Sequence, residues 1–148
     1  MKNGVEEVRT NVFCKLADDL IKGEVYAIPK YLENCRFLPK LNNEKPGQRN
    51  STYKKRFSSL ENLVLIMFEQ DATLIPKETS WFGYYPDGFF EPILPSLETK
   101  LYTEDWIGLK ALDEAGRVHF ISIPGYHLEI FEADIKKHVV PYLNGQIS

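Results

Sequence analysis

The chain has 148 residues, enough for one ordinary domain, and 43% of them are apolar, enough for a packed core rather than wholesale disorder. The formal net charge of −3 leaves no cationic footprint for nucleic acid, so nucleic acid is not an expected partner. No apolar stretch is long enough to span a bilayer, and Met1-Lys2-Asn3-Gly4-Val5-Glu6-Glu7 lacks the apolar centre of a signal peptide, so the chain as written is expected to stay cytoplasmic.

In chain order, residues from about Asn11 to Tyr26 read as a helix. Phe13, Leu16, Ala17, Leu20 and Ile21 recur at three- and four-residue spacings and make one apolar face, with Gly23 a plausible stop. The stretch from Ala27 to Arg49 is polar and carries Pro29, Pro39 and Pro46. It reads as loop, with at most a short strand or turn around Tyr31 to Leu38. Asn50-Ser51-Thr52 is an N-glycosylation acceptor pattern, one that also arises often by chance. Tyr53 to Asn62 reads as a basic helix or turn.

Next comes Leu63-Val64-Leu65-Ile66-Met67-Phe68, an unbroken apolar run rich in branched residues. Such a run is expected to be a strand buried on both faces, in the middle of a parallel sheet. Thr73 to Pro76 reads as extended. Trp81 to Phe90 is an aromatic segment, and its Pro86-Asp87-Gly88 is a turn signature. Those aromatics read either as packing beneath the rim of a site or as an apolar binding surface.

A helix is predicted from Thr103, with Thr103 as N-cap, Glu104 and Asp105 at the positive end of the dipole, Tyr102 stapled to Ile107, and Gly116 as its end. Val118 to Ile123 is a second strand, leading into Pro124-Gly125-Tyr126-His127. A last helix is predicted over Glu132 to Leu143, with Ala133, Ile135, Val139 and Val140 mostly inward and Asn144-Gly145 ending it. Strand, loop with acid, helix, strand, loop with histidine, helix is the ending of a parallel α/β sheet, with a right-handed crossover expected.

The two cysteines, Cys14 and Cys35, lack the spacing of a zinc or redox motif and are free, joined to each other, or missing a partner. No metal or cofactor is expected.

Chemistry concentrates at two strand ends. Open α/β folds place ligands just past the carboxyl ends of their strands. Asp71 and His127 both stand there. Parallel neighbours lie about 5 Å apart, so contact between the two side chains is geometrically cheap. An aspartate that accepts from one imidazole nitrogen fixes the ring's tautomer and steadies its positive charge, and the other nitrogen then takes a proton from a hydroxyl nucleophile. The bland alternatives are an aspartate that caps the next turn and a surface histidine after Pro-Gly. His119 lies within the second strand and His138 on the last helix, each without a comparable acid.

Several long motifs occur in a recognisable order: Asn50-Ser51-Thr52-Tyr53-Lys54-Lys55, Phe68-Glu69-Gln70-Asp71, Ser80-Trp81-Phe82-Gly83-Tyr84-Tyr85, Leu101-Tyr102-Thr103-Glu104-Asp105-Trp106-Ile107-Gly108-Leu109-Lys110 and Gly125-Tyr126-His127-Leu128. On these, the stretch from Tyr53 to Leu143 resembles the carboxyl-terminal part of palmitoyl-protein thioesterases, the plant type above all. Cys35 to Glu44 is similar as well. The 56-residue step from Asp71 to His127 also matches the family's spacing.

The resemblance implies an α/β class and a partial α/β-hydrolase fold, one domain over 1–148. In that reading 1–49 is a helix-and-loop remnant of the mid-domain, and 50–148 holds the carboxyl-terminal strands and helices of a mainly parallel sheet. It implies hydrolysis of the thioester between a long fatty acyl chain and a protein cysteine, with Asp71 as triad acid and His127 as general base. It implies a glycan on Asn50, a palmitoylated protein or fatty acyl thioester as partner, and lysosome, vacuole or secretory pathway as location.

The family's nucleophile is a serine in a Gly-x-Ser-x-Gly turn. None of the nine glycines here is followed by x-Ser. The resemblance also pairs Cys14 with a cysteine that this sequence does not contain. The chain alone is therefore expected to keep acid and base, to lack the nucleophile and to be inactive, or to serve as a non-catalytic acyl-chain or protein-binding fragment.

Overall fold

A computed structural model of the chain describes residues 32–33, 35–86, 89 and 91–143. The helix expected over Asn11 to Tyr26, Cys14, Asp87, Gly88, Phe90 and the Asn144-Gly145 stop lie outside the described residues. Among the described residues no helix is long and apolar enough to cross a membrane.

The two apolar runs form strands with the expected boundaries, β1 over Leu63–Phe68 and β2 over Val118–Ile123. They pair in parallel, in register from Leu63 with Val118 to Phe68 with Ile123. The ladder runs past both ends: Leu63 N donates to Arg117 O (2.8 Å), Glu69 N to Ile123 O (3.0 Å) and Gln70 N to Gly125 O (3.0 Å). Parallel pairing needs a crossover, and the chain between the strands supplies it.

Five expectations change here. First, β1 is not buried on both faces: Leu63 to Ile66 are half-buried, and only Met67 and Phe68 are buried. The described sheet has two strands, so an edge stands where a neighbour would cover a central strand. Second, the polar stretch before Asn50 holds a one-turn helix, α1 (Leu38–Leu41), and a 3-10 turn over Pro46–Gln48. Each begins with its proline in the first turn, where the missing N–H costs nothing.

Third, the helix expected from Thr103 is two helices. After α2 (Ser51–Ser58) the chain forms α3 (Lys100–Thr103) and α4 (Leu109–Glu114). The N-cap of α3 is Thr99, whose hydroxyl accepts from Tyr102 N, while Thr103 turns its own hydroxyl back onto Thr99 O. Asp105 (φ 48°) and Gly108 (φ 92°) adopt left-handed conformations that break the run between them. Gly116 (φ 68°) closes α4 as expected.

Fourth, the last helix divides into α5 (Glu132–His138) and α6 (Val140–Leu143). Pro141 has no N–H to give to the turn before it. Ala133 and Ile135 are exposed rather than inward, and Val139 and Val140 are half-buried. Fifth, the segment after Asp71 is a turn rather than extended chain, as described below.

The core lies beneath the crossover. Leu101, Tyr102, Ile107 and Leu109 are buried together, with Phe57, Leu63, Phe82, Tyr84, Trp106 and Val118 packed against them. Of the aromatic segment, Phe82 and Tyr84 join this core, whereas Phe89 is exposed. Phe82 meets Phe57 edge-on at 6.4 Å, Trp81 meets Phe120 edge-on at 5.9 Å, and Trp81 Nε1 donates to Leu65 O (3.0 Å). Cys35 is buried as a free thiol.

Buried Asn43 ties the polar loop to the crossover. Its Nδ2 donates to Asn50 O and Trp106 O, and its Oδ1 accepts from Asn50 N. Lys54 adds an ion pair to Asp105 at 2.7 Å.

Gly108 sits at the start of α4, directly against α2. A Cβ there would lie 2.8 Å from Ser58 Cβ and 3.1 Å from Lys54 O, besides requiring the left-handed φ. Gly108→Ala is expected to lower stability by about 2 kcal/mol or more. Gly47→Ala, with nothing within 4 Å of the added methyl, is expected to be near neutral. Urea denaturation of the two variants checks this, and equal midpoints contradict it.

Candidate active site

The carboxyl ends of β1 and β2 deliver Asp71 and His127 to each other. His127 Nδ1 lies 2.8 Å from Asp71 Oδ2. The Asp71 side chain is 1% exposed and that of His127 is 33% exposed, so the acid is hidden behind an imidazole that still reaches solvent.

The buried carboxylate is fully supplied with donors. Asp71 Oδ1 accepts from Thr73 N (2.8 Å) and Leu74 N (3.0 Å), an Asx-type turn built by the residue itself. Burial alone would push the Asp71 carboxyl up. The hydrogen bond from His127 and those from the Leu74 and Thr73 amides outweigh it and hold the group below its usual value of 3.8. An ionised Asp71 accepts only, so Nδ1 of His127 carries the proton and donates. Nε2, on the far side of the ring, is then the nitrogen with a lone pair. Both bland readings of Asp71 and His127 hold in part, since Asp71 does cap a turn and His127 does sit on a loop. Neither excludes the contact.

Two residues that sequence reasoning passed over hold the histidine loop. Gln70 Oε1 accepts from Gly125 N, and Gln70 N donates to Gly125 O (3.0 Å). Glu129 Oε2 accepts from Tyr126 N (2.8 Å), and Glu129 N donates to Tyr126 O (2.9 Å). Gly125 has φ 141°, and a Cβ there would meet Glu129 Oε2 at 3.1 Å and Glu129 O at 3.2 Å, so the loop closes only around glycine. The available signal was adjacency: Gln70 immediately precedes the acid, and Glu129 lies four residues after that glycine.

The other titratable candidates lie elsewhere. His119 Nε2 is 3.0 Å from Asn62 Oδ1, and its ring lies 4.5 Å from that of Tyr142. Asn50 is exposed and caps α2, its Oδ1 accepting from Thr52 N and Tyr53 N. Among the described residues no group of three or more His, Cys, Asp or Glu side chains is placed to hold a metal ion.

Two parallel strands with flanking helices and a carboxylate–imidazole pair at their carboxyl ends describe a partial α/β fold of the hydrolase type. The family model for palmitoyl protein thioesterase matches residues 14–127. Among curated relatives, palmitoyl-protein thioesterase 1 of Caenorhabditis elegans is 50% identical over 103 residues, covering 70% of this chain and 34% of the relative. Palmitoyl-protein thioesterase 3 of Dictyostelium discoideum is 40% identical over 102 residues, covering 69% and 35%. Lysosomal thioesterase PPT2-B of Xenopus laevis is 38% identical over 96 residues, covering 65% and 33%. The chain belongs to the palmitoyl-protein thioesterase family, with its α/β-hydrolase fold. It spans about a third of the length of these relatives.

A lowered carboxyl pKa fixes a direction with pH. Its stabilising contribution is fully present above the unfolded-chain value of 3.8 and is lost as pH falls through the lower folded value. Carbon-13 NMR of the Asp71 carboxyl is expected to give a midpoint below 3.8. A midpoint at or above that value contradicts the donor arrangement.

Proposed function

We propose that this chain carries the acid and the general base of a palmitoyl-protein thioesterase, in one partial α/β-hydrolase domain. The observation that carries this reading is the 2.8 Å contact between His127 Nδ1 and Asp71 Oδ2 at adjacent parallel strand ends. Family membership supplies the substrate class, a long fatty acyl thioester on a protein cysteine.

Asp71 holds the Nδ1–H tautomer and steadies the imidazolium. Nε2 of His127 takes the proton from a serine hydroxyl as its oxygen attacks the thioester carbonyl. The tetrahedral intermediate collapses, the carbon–sulfur bond breaks, and the imidazolium returns its proton to the departing cysteine thiolate. A water molecule, deprotonated by the same nitrogen, then attacks the serine ester; the acyl–oxygen bond breaks, the imidazolium returns the proton to the serine oxygen, and the fatty acid leaves.

The serine is the component this sequence does not offer in its usual setting, since Gly-x-Ser is absent. Loss of a triad nucleophile costs several orders of magnitude in rate. The chain by itself is therefore inactive in this reading, with acid and base in place. A lysosomal location is part of this proposal, supported by relatives named lysosomal thioesterases. Asn50 is proposed as a glycan site: Oδ1 serves the helix cap, which leaves Nδ2 for the sugar.

A second reading, binding of an acyl chain without cleavage, is favoured by one observation. Ile75, Tyr126 and Leu128, on the two loops that meet at the Asp71–His127 pair, are 76%, 68% and 71% exposed. Titration with a fluorescent fatty acid separates the two, since the catalytic reading requires no saturable binding by this chain alone.

With a fluorogenic palmitoyl thioester, the chain is expected to show no turnover above buffer, and Asp71→Ala and His127→Ala are expected to change nothing. Turnover that either substitution abolishes would show a different nucleophile in use and overturn the inactive reading.

A further inference from the structure

We propose that Gln70 is a positioning residue for the histidine of the pair, acting as a side-chain extension of the β1–β2 ladder. This rests on the reading of Asp71 and His127 given above. Past Phe68 the β1–β2 pairing continues through Glu69 and Gln70, and Asp71 then turns its carboxylate back onto the Thr73 and Leu74 amides. The backbone ladder ends with Gln70 N donating to Gly125 O. Among the described residues the next donor on the β2 side, Gly125 N, meets no backbone carbonyl. Gln70 Oε1 takes its place.

One residue thus grips the two sides of Gly125, two positions before His127. On the other flank Glu129 grips Tyr126 in the same two-sided way, through Tyr126 N to Oε2 and its own N to Tyr126 O. The peptide groups between Pro124 and His127 are held from both ends of the loop. A Cβ at Gly125 would crowd the Glu129 clamp, 3.1 Å from its Oε2 and 3.2 Å from its O, on a φ of 141° that favours glycine.

The imidazole inherits this placement. The contact to Asp71 is made by a half-open ring on an exposed loop, and the Tyr126 and Leu128 side chains on either side are mostly in solvent. Packing around the neighbouring side chains therefore does little to fix the ring, and the hydrogen bonds of Gln70 and Glu129 fix the backbone that carries it. Gln70 does not touch the reacting atoms. It sets where Nδ1 arrives.

The test uses the full 148-residue chain and NMR. In the unsubstituted protein a scalar coupling across the bond from Gly125 N–H to the Gln70 side-chain carbonyl is expected, and its absence overturns the proposal whatever any variant does. Gln70→Leu keeps the bulk and removes the acceptor. It is expected to speed exchange of the Gly125 amide and of the His127 Nδ1–H proton by about three- to tenfold. Amide protection in Leu63 to Phe68 is expected to stay as it was. Gln70→Glu retains an oxygen acceptor and is expected to restore slow exchange at both positions, a rescue that loss of a merely structural residue would not show. If His127 Nδ1–H exchanges equally slowly in Gln70→Leu, the positioning role fails while the Asp71–His127 pair stands. If the unsubstituted chain shows no Nδ1–H bonded to Asp71, the reading of the pair fails with it.

Discussion

A buried carboxylate needs donors, and the architecture around Asp71 follows from how it finds them. Two come from its own succeeding amides, Thr73 N and Leu74 N, and a third from His127 Nδ1. With those bonds the group stays ionised while its side chain is almost wholly out of water. Without them a hidden charge would be strongly unfavourable. The turn after β1 and the contact with the histidine loop both serve to satisfy this one side chain.

The third donor comes from a residue 56 positions away, and parallel pairing is what brings it. In register, Phe68 stands opposite Ile123, so three residues past β1 and four past β2 meet at one level. The crossover beneath carries the buried core, with Leu109 and Leu112 wholly out of water. Chemistry and stability are thus divided. The helices and aromatics of the crossover hold the strands, and the strand ends hold the site.

Much of this was legible in the sequence where a single local rule decides. The first strand could be read from an unbroken apolar run and the second from a mostly apolar one, and their ends located Asp71 and His127. The misreadings arise where tertiary context overrides a local pattern. Thr103 looked like an N-cap because acids follow it, but Thr99 caps the turn, and the left-handed Asp105 and Gly108 split the helix to let it pass close to α2. Ile135 stands one helical step of four before Val139, yet it and Ala133 face solvent, because spacing reports an apolar face without reporting what covers it. Gln70 and Glu129 offered only their nearness to Asp71 and Gly125, and it is the backbone groups they meet that give them a role.

The account depends on β1 and β2 running the same way with Phe68 beside Ile123. Interstrand nuclear Overhauser contacts in the full chain report this directly. The predicted result is a series of contacts that steps in one direction along both strands, from Leu63 with Val118 up to Phe68 with Ile123, continuing to a contact between the Asp71 and His127 side chains. Contacts that step in opposite directions along the two strands, or that leave residues 71 and 127 apart, would contradict it.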